Sequence, residues 1–181
     1  MALLSLMARL GSSQPVELRM NHQELIDGFD VGQFGAAPTK FDAEDLWPLT
    51  AKAISAMPYT DVAAEVAALG VPQDIAERFW DVVRANIGKR SEAAGWAEIV
   101  MNGATAQVAA EDAEFVATAF GMLCEPPYAA DAWSQWTQGV KEATGRKGKG
   151  LFMPLRLAVT GREKGPEMGD LLPLLQKRPS L

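Results

Sequence analysis

Short segments with helical periodicity make up almost the whole of this sequence. Apolar residues recur at the three- and four-residue spacing that places side chains on one face of a helix. No sustained run of β-branched residues alternates with polar ones, so strands are expected to be scarce. Glycine and proline interrupt the apolar pattern at short intervals, which keeps each predicted helix short. The pattern therefore predicts an all-α protein of roughly nine to ten short helices.

Capping residues mark the predicted helix starts, and glycines mark several predicted ends. Asn21 is predicted to cap a helix whose apolar positions include Ile26 and Phe29. Thr60 is predicted to cap a helix over residues 61–69. The remaining predicted starts are Asp42 and Ser91, and the predicted terminal glycines are Gly11, Gly70, Gly145 and Gly161.

The length of 181 residues fits one large domain or two small ones. Gly70-Val-Pro72 is the best candidate for a boundary, because a glycine that ends one helix is followed by a proline suited to start the next. We therefore predict two helical units, residues 1–70 and residues 71–181.

The scarcity of cysteine and histidine excludes several classes of site. The chain has one cysteine, Cys124, and one histidine, His22, so it can form no intrachain disulfide and no Cys/His zinc site. Cys124 is expected to be a small buried hydrophobe. A Ser-His-Asp or Cys-His enzyme would depend entirely on His22, which is predicted to lie at the surface beside a helix cap. The sequence predicts no metal, no catalytic site and no membrane-spanning segment.

Charge is distributed unevenly along the chain. The net charge is −6, yet residues 141–181 hold nine basic and four acidic side chains, which leaves eight basic and nineteen acidic ones for residues 1–140. An acidic body with a basic end can place a polyanion at that end and repel it elsewhere. A solvated basic tail is the alternative, but the apolar run over residues 151–159 is not typical of such a tail.

A glycine-rich basic loop precedes this apolar run. Glycines alternate with cations over residues 145–150, and glycine lets a backbone approach a phosphate that lysine and arginine neutralise. The loop is not a Walker A motif, because Lys149 is followed by Gly150 and not by serine or threonine. The backbone-binding candidates are Arg146, Lys147 and Lys149, with Arg162 beyond the following helix; a plain linker remains the alternative.

Arg156 and the turn after it are the candidates for base recognition. A planar guanidinium can stack on a base or contact its edge, although Arg156 could instead cover the core with its stem. The turn over residues 161–168 could present backbone groups and Met168 to a splayed base, or be an ordinary helix connection.

The five tryptophans are predicted to lie in the core, with Trp47 partly exposed.

Residues 151–168, with the sequence LFMPLRLAVTGREKGPEM, resemble the closing segment of bacterial glutamyl-tRNA synthetases. That segment has a basic Gly-Lys loop, Pro-Leu-Arg, Thr-Gly, a short turn and Gly-Pro. Residues 2–11 resemble the helix that follows the catalytic core of this family, and residues 25–29 and 41–42 match in order and spacing. The resemblance covers essentially the whole chain.

The resemblance implies an all-helical, cage-like bundle of two subdomains that holds the anticodon arm of tRNA(Glu). It implies that Arg156 contacts an anticodon base, and that Gly165, Pro166 and Met168 line the pocket for the first two bases. The reader of the third base falls at or near Ser55, where many family members have arginine. Serine is a departure from that pattern.

The resemblance also implies what the rest of such an enzyme supplies. The family binds ATP and Mg through a nucleotide-binding fold with a His-x-Gly-His-type signature and a Lys-x-Ser-Lys-type loop, and neither motif occurs here. We therefore expect the C-terminal portion of a cytoplasmic ligase, without the catalytic domain, with no cofactor of its own and preferably monomeric. The alternatives are a helical protein-interaction scaffold with a basic C-terminal docking face and, less favoured, an independent enzyme.

Overall fold

The computed structural model describes all 181 residues and contains ten α-helices and no β-sheet. The only strand-like feature is an isolated antiparallel bridge between Ser12 and Phe34. The predicted all-α class is confirmed. The helices are α1 (Ala2–Met7), α2 (His22–Asp27), α3 (Leu46–Ser55), α4 (Ala63–Ala68), α5 (Gln73–Val83), α6 (Ala93–Asn102), α7 (Ala113–Gly121), α8 (Ala132–Thr144), α9 (Lys149–Thr160) and α10 (Met168–Leu171).

Several predicted helix ends are correct because their glycines take the left-handed conformation. Gly145 ends α8 with φ of 70°, and Gly161 ends α9 with φ of 64°. Each glycine donates its N–H to a carbonyl four residues earlier, which closes the last turn. Gly11 is a correction, since α1 ends at Met7 and the chain continues through a hydrogen-bonded turn.

Of the four predicted caps, Asn21 and Asp42 form cap hydrogen bonds, and Thr60 and Ser91 do not. The Asn21 side chain accepts a hydrogen bond from the Glu24 N–H at 2.9 Å and caps α2 as predicted. Thr60 and Ser91 cap nothing, because each lies inside a 3₁₀ turn that precedes its α-helix. The i→i+3 bonds of such a turn satisfy backbone donors that a side-chain cap would otherwise serve. Asp42 does act as a cap, but of the 3₁₀ turn at Ala43–Asp45, which directly precedes α3.

One continuous core holds most of the protein together. It contains 31 buried side chains, from Ile54 at the end of α3 to Leu175 near the C-terminus. Val66 of α4 belongs to the same core as Phe79 of α5, so buried contacts run across the segment proposed as a boundary. The division into residues 1–70 and 71–181 stays a prediction.

The N-terminal segment, residues 1–53, is built differently. Its only buried hydrophobic side chains are Leu6 and Leu49, and α1 packs against α3. Helix α2 buries none of its residues: Ile26 is 66% exposed, and Phe29, just beyond it, is 52% exposed. The apolar positions predicted for this helix are therefore not part of the core.

Two sequence expectations concern the surface. Cys124 is exposed and not buried, because α7 ends at Gly121 and the residue falls in the following loop. No helix has the length and hydrophobicity needed to cross a bilayer, the longest being α8 with 13 residues.

Candidate nucleic-acid interface

The basic loop is fixed to the rest of the protein by Arg146. Its guanidinium forms an ion pair with Asp112, lies 4.1 Å from the centre of the Phe115 ring, and donates to the carbonyl oxygen of Gly150 at 3.3 Å. That carbonyl would normally accept from the residue four positions later, but this is Pro154, which has no N–H. Arg146 thus anchors the loop to α7, and its contact with an RNA backbone stays a prediction.

Lys147 and Lys149 are free cations at the start of α9. Both side chains are exposed, and neither ammonium has an ion-pair or hydrogen-bond partner. Gly148 precedes the first turn of the 12-residue helix with φ of 57°, and Lys149 is its first residue. Two lysines beside unsatisfied N–H groups favour an anion at this helix end.

Arg156 joins α9 to the bend, which we define as residues 161–168. One terminal nitrogen, Nη2, donates to the carbonyl oxygen of Pro166 at 2.8 Å. The other, Nη1, is buried and has no hydrogen-bond partner. A buried donor without an acceptor costs about 1–3 kcal/mol, so such groups are rare unless an additional acceptor binds there.

A cavity of about 360 Å³ opens beside Arg156; we name it the α8–α9 cavity. Its walls include Trp133 of α8 and Phe152 of α9, whose ring centres are 6.4 Å apart. Glu167 and Met168 line it from the bend and the start of α10, and Met168 is 3% exposed. Its size lies in the range of small-ligand sites, which typically combine apolar walls with a few polar groups.

Arg156 and Met168, two of the predicted site residues, line this cavity, whereas its two aromatic walls were not predicted as site residues. Trp133 was assigned to the core, although it is only partly buried. Phe152 precedes Arg156 by four residues, so the two share a face of α9. That spacing is the signal that could have identified Phe152.

The shape of the bend depends on Gly165. A Cβ added at this position would overlap the indole ring of Trp96, so no larger residue fits without displacing it. Its φ of 152° is also unusual for residues other than glycine. The buried Pro166 follows and presents its carbonyl oxygen to Arg156. These two residues position the bend, and their contact with bases stays a prediction.

A second cavity, of about 480 Å³, lies on another side of the bend; we name it the α3–bend cavity. The Arg162 guanidinium lies 4.4 Å from the centre of the Trp96 ring, and both side chains line this cavity together with Lys164 and Ala51. Ser55, one turn beyond Ala51 on α3, is exposed and lines neither cavity. Base reading by Ser55 stays a prediction.

The sequence of this chain is similar to a known domain family and to known ligases. The family model described as an anticodon binding domain matches residues 100–181. This range includes α7 to α10 and every residue that lines the α8–α9 cavity. The whole chain is 64% identical to a glutamate–tRNA ligase of Jannaschia sp. and 61% identical to one of Dinoroseobacter shibae. It covers 40% and 41% of these two proteins, so it spans less than half of their length.

The fold is also found among solved structures. The glutamate–tRNA synthetase of Elizabethkingia anophelis matches with a TM-score of 0.72 and 17% identity, over 96% of this chain and 37% of that one. The fold, the family model and the high identity to curated relatives agree with one another. Residues 100–181 belong to the anticodon-binding domain family, and the chain as a whole is homologous to the C-terminal, anticodon-binding portion of the glutamate–tRNA ligases.

Proposed function

We propose that this chain binds the anticodon arm of tRNA(Glu). The observation that carries the proposal is the α8–α9 cavity, which is lined by Trp133, Phe152 and Arg156, and the Nη1 atom of Arg156 is buried without a hydrogen-bond partner. An unpaired base could stack against Trp133 and Phe152, while an acceptor on its edge takes the free donor of Arg156. Unpaired bases of RNA are commonly read by this combination of stacking and edge contacts.

The surrounding charges fit an RNA backbone. Lys147 and Lys149 lie at the start of α9, and Arg162 lies in the bend at its end. Contacts between RNA phosphates and these cations would position the anticodon loop without selecting a sequence, whereas the cavity would recognise the base. The acidic remainder of the chain would repel RNA bound in other orientations.

The test is a titration with tRNA(Glu), tRNA(Gln) and tRNA(Glu) with a substituted anticodon. We expect tRNA(Glu) to bind more tightly than its substituted form, and the affinity to fall as salt rises. Arg156→Ala is expected to cost about 1–3 kcal/mol of binding, because a base contact is lost. Arg156→Lys keeps the charge but not the fork of donors, so it should recover only part of the loss.

Arg19→Ala is the matched control, since it removes the same charge from the N-terminal segment, where Arg19 pairs with the exposed Glu17. It should leave the affinity almost unchanged. Equal binding of all three RNAs, or no binding, would contradict the proposal. A complex with an acidic protein in place of RNA would favour the alternative, a helical interaction scaffold.

We extend the proposal to the complete ligase. ATP and Mg would be bound by the catalytic portion of such an enzyme, which works in the cytoplasm. ATP–pyrophosphate exchange is therefore expected only when that portion is present. Exchange catalysed by residues 1–181 alone would overturn this assignment.

A further inference from the structure

An exposed tryptophan lies close to the α3–bend cavity and is used by none of the contacts described so far. Trp47, in the first turn of α3, is 50% exposed. The Lys89 ammonium lies 4.8 Å from the centre of its ring, so one face of the indole carries a cation. Large aromatic side chains usually bury most of their surface, and one left half exposed beside a cation needs a reason.

Residues adjacent to this pair, along α3 and along the segment between α5 and α6, line the cavity. Trp47 precedes the cavity-lining Ala51 by four residues, so both lie on one face of α3. Lys89 directly follows Gly88, which lines the cavity from the segment between α5 and α6. Both segments that carry the Trp47–Lys89 pair therefore also contribute lining residues to the cavity, so we infer that the pair lies beside it.

The cavity and its rim are unusually rich in free cations for a protein with a net charge of −6. Lys89, Arg162 and Lys164 have no ion-pair partner within 4 Å. Glu92 is the acidic residue lining the cavity, and its carboxylate accepts a hydrogen bond from the Gly88 N–H at 2.8 Å. The positive charge is therefore only partly balanced, which favours an anionic ligand.

We propose that the α3–bend cavity and the Trp47–Lys89 pair form a second nucleotide site, in which a base stacks on Trp47 and its phosphate lies against Lys89 and Lys164. The inference rests on the proposed function. A nucleotide combines a flat π-face with an anion, which is what an exposed indole flanked by lysines recognises. An acidic peptide would use the lysines but leave the indole face without a matching partner.

The bend connects this second site to the first one. Gly165 lines the α3–bend cavity, while the next residue, Pro166, holds Arg156 of the α8–α9 cavity through its carbonyl oxygen. One short segment therefore contributes to both sites, and a single RNA strand that passes over it would meet the two in succession. Trp47 would add stacking energy without selecting a particular base, since every base has a π-face.

The test uses the anticodon stem-loop of tRNA(Glu), with 2-aminopurine placed at each loop position in turn. Stacking on an indole quenches this base, so at least one loop position should lose fluorescence on binding. Trp47→Ala should abolish that quenching and weaken binding by about tenfold, the effect of losing one stacked base. Trp47→Phe should retain most of both signals, because it preserves an aromatic face.

Lys89→Ala tests the phosphate contact separately. It should weaken binding a few-fold and lower the slope of log affinity against log salt by about one unit. Phe29→Ala and Lys40→Ala are the matched controls, since both remove exposed side chains of the same kinds from the N-terminal segment. Thermal melting of every variant shows whether the fold is intact.

The outcomes separate the two proposals. If Arg156→Ala weakens binding but Trp47→Ala changes neither affinity nor quenching, the second site is wrong and the proposed function stands. If the unaltered protein binds no stem-loop, both fail. If Trp47→Ala and Lys89→Ala weaken binding of polyglutamate but not of RNA, the surface docks an acidic polypeptide and the nucleotide assignment is overturned.

Discussion

The N-terminal segment, residues 1–53, and the remainder, residues 54–181, consist of similar short helices but are stabilised by different means. The remainder holds all 31 side chains of the main core, whereas the N-terminal segment buries only Leu6 and Leu49 among its hydrophobic residues. Ten of the large hydrophobic side chains that remain exposed belong to residues 1–47. Helical periodicity alone does not distinguish these two situations.

Helix α2 shows what supports a helix without burial. Asn21 accepts from the Glu24 N–H, and the Glu24 carboxylate accepts from the Met20 N–H at 3.1 Å. Gln23 donates to Asp27 at 2.6 Å along the exposed surface. These bonds are all local, and an isolated helix of six residues is marginal in water. We therefore expect amide protons in residues 1–53 to exchange before those of the core.

The largest expected difference between the two regions is the effect of deleting a phenylalanine. Phe79 is completely buried, whereas Phe29 is 52% exposed. Phe79→Ala should lower the free energy of unfolding by about 3–5 kcal/mol, because it leaves a cavity. Phe29→Ala should change it by less than about 0.5 kcal/mol. Urea denaturation followed by circular dichroism measures both, and equal losses would show that the N-terminal segment is packed as tightly as the core.

A glycine comparison sharpens the account of the core. Gly165→Ala should cost about 1–3 kcal/mol of stability, because the new methyl group overlaps Trp96. Gly121→Ala is the control: no atom lies within 4 Å of its added Cβ, and it ends α7 with ordinary backbone angles. That substitution should be neutral or stabilise the protein by up to about 1 kcal/mol. A harmless Gly165→Ala variant would mean that Trp96 can move away, and with it the bend.

The sequence predicts elements better than it predicts what they contact. The all-α class, the Asn21 cap and the glycine ends of α8 and α9 depend on neighbouring residues, so they could be predicted. Thr60 and Ser91 failed as caps because 3₁₀ turns precede their helices. A residue that favours the cap position indicates that a helix begins nearby. It does not indicate whether a 3₁₀ turn satisfies the same backbone N–H donors in place of the side chain.

Spacing along a single helix and local charge are the sequence signals that point to the candidate site. Arg156 and Phe152 share one face of α9, and the charge of residues 141–181 is visible in composition. Trp133 reaches the cavity from another helix, and Arg146 pairs with Asp112, 34 positions earlier. Such pairings depend on how helices pack, which periodicity does not specify.

Ion pairs in the two regions provide a smaller test. Asp112 and Arg146 are partly buried, at 22% and 33% side-chain exposure, while Glu17 and Arg19 are more exposed. Asp112→Asn should lower the free energy of unfolding by about 1–2 kcal/mol, because Arg146 loses a charged acceptor away from water. Glu17→Gln should cost less than about 0.5 kcal/mol. Equal effects, measured at two salt concentrations, would indicate that solvent screens both pairs alike.

The smallest expected effects have opposite signs in the two regions. The Tyr128 hydroxyl is buried without a partner, so Tyr128→Phe should be neutral or stabilise the protein by up to about 1 kcal/mol. Ser5 is also buried but accepts from the Arg19 N–H at 2.9 Å, so Ser5→Ala should destabilise the protein by about 1 kcal/mol. The signs follow from hydrogen bonding and not from burial.

Measuring stability against pH for the unaltered protein and for Tyr128→Phe tests the burial of the Tyr128 hydroxyl in a second way. Burial, and after it the nearby Cys124 and Glu125, raise the pKa of Tyr128 from 10.0 to about 12. The pKa of Tyr128 is higher in the folded than in the unfolded state. The protonated phenol therefore contributes fully to the free energy of unfolding below pH 10, and this contribution decreases as the pH rises toward about 12. Stability measured across that window should fall more steeply for the unaltered protein than for Tyr128→Phe. Parallel curves would mean that water reaches the phenol, and the hydroxyl would then no longer count as an unsatisfied buried group.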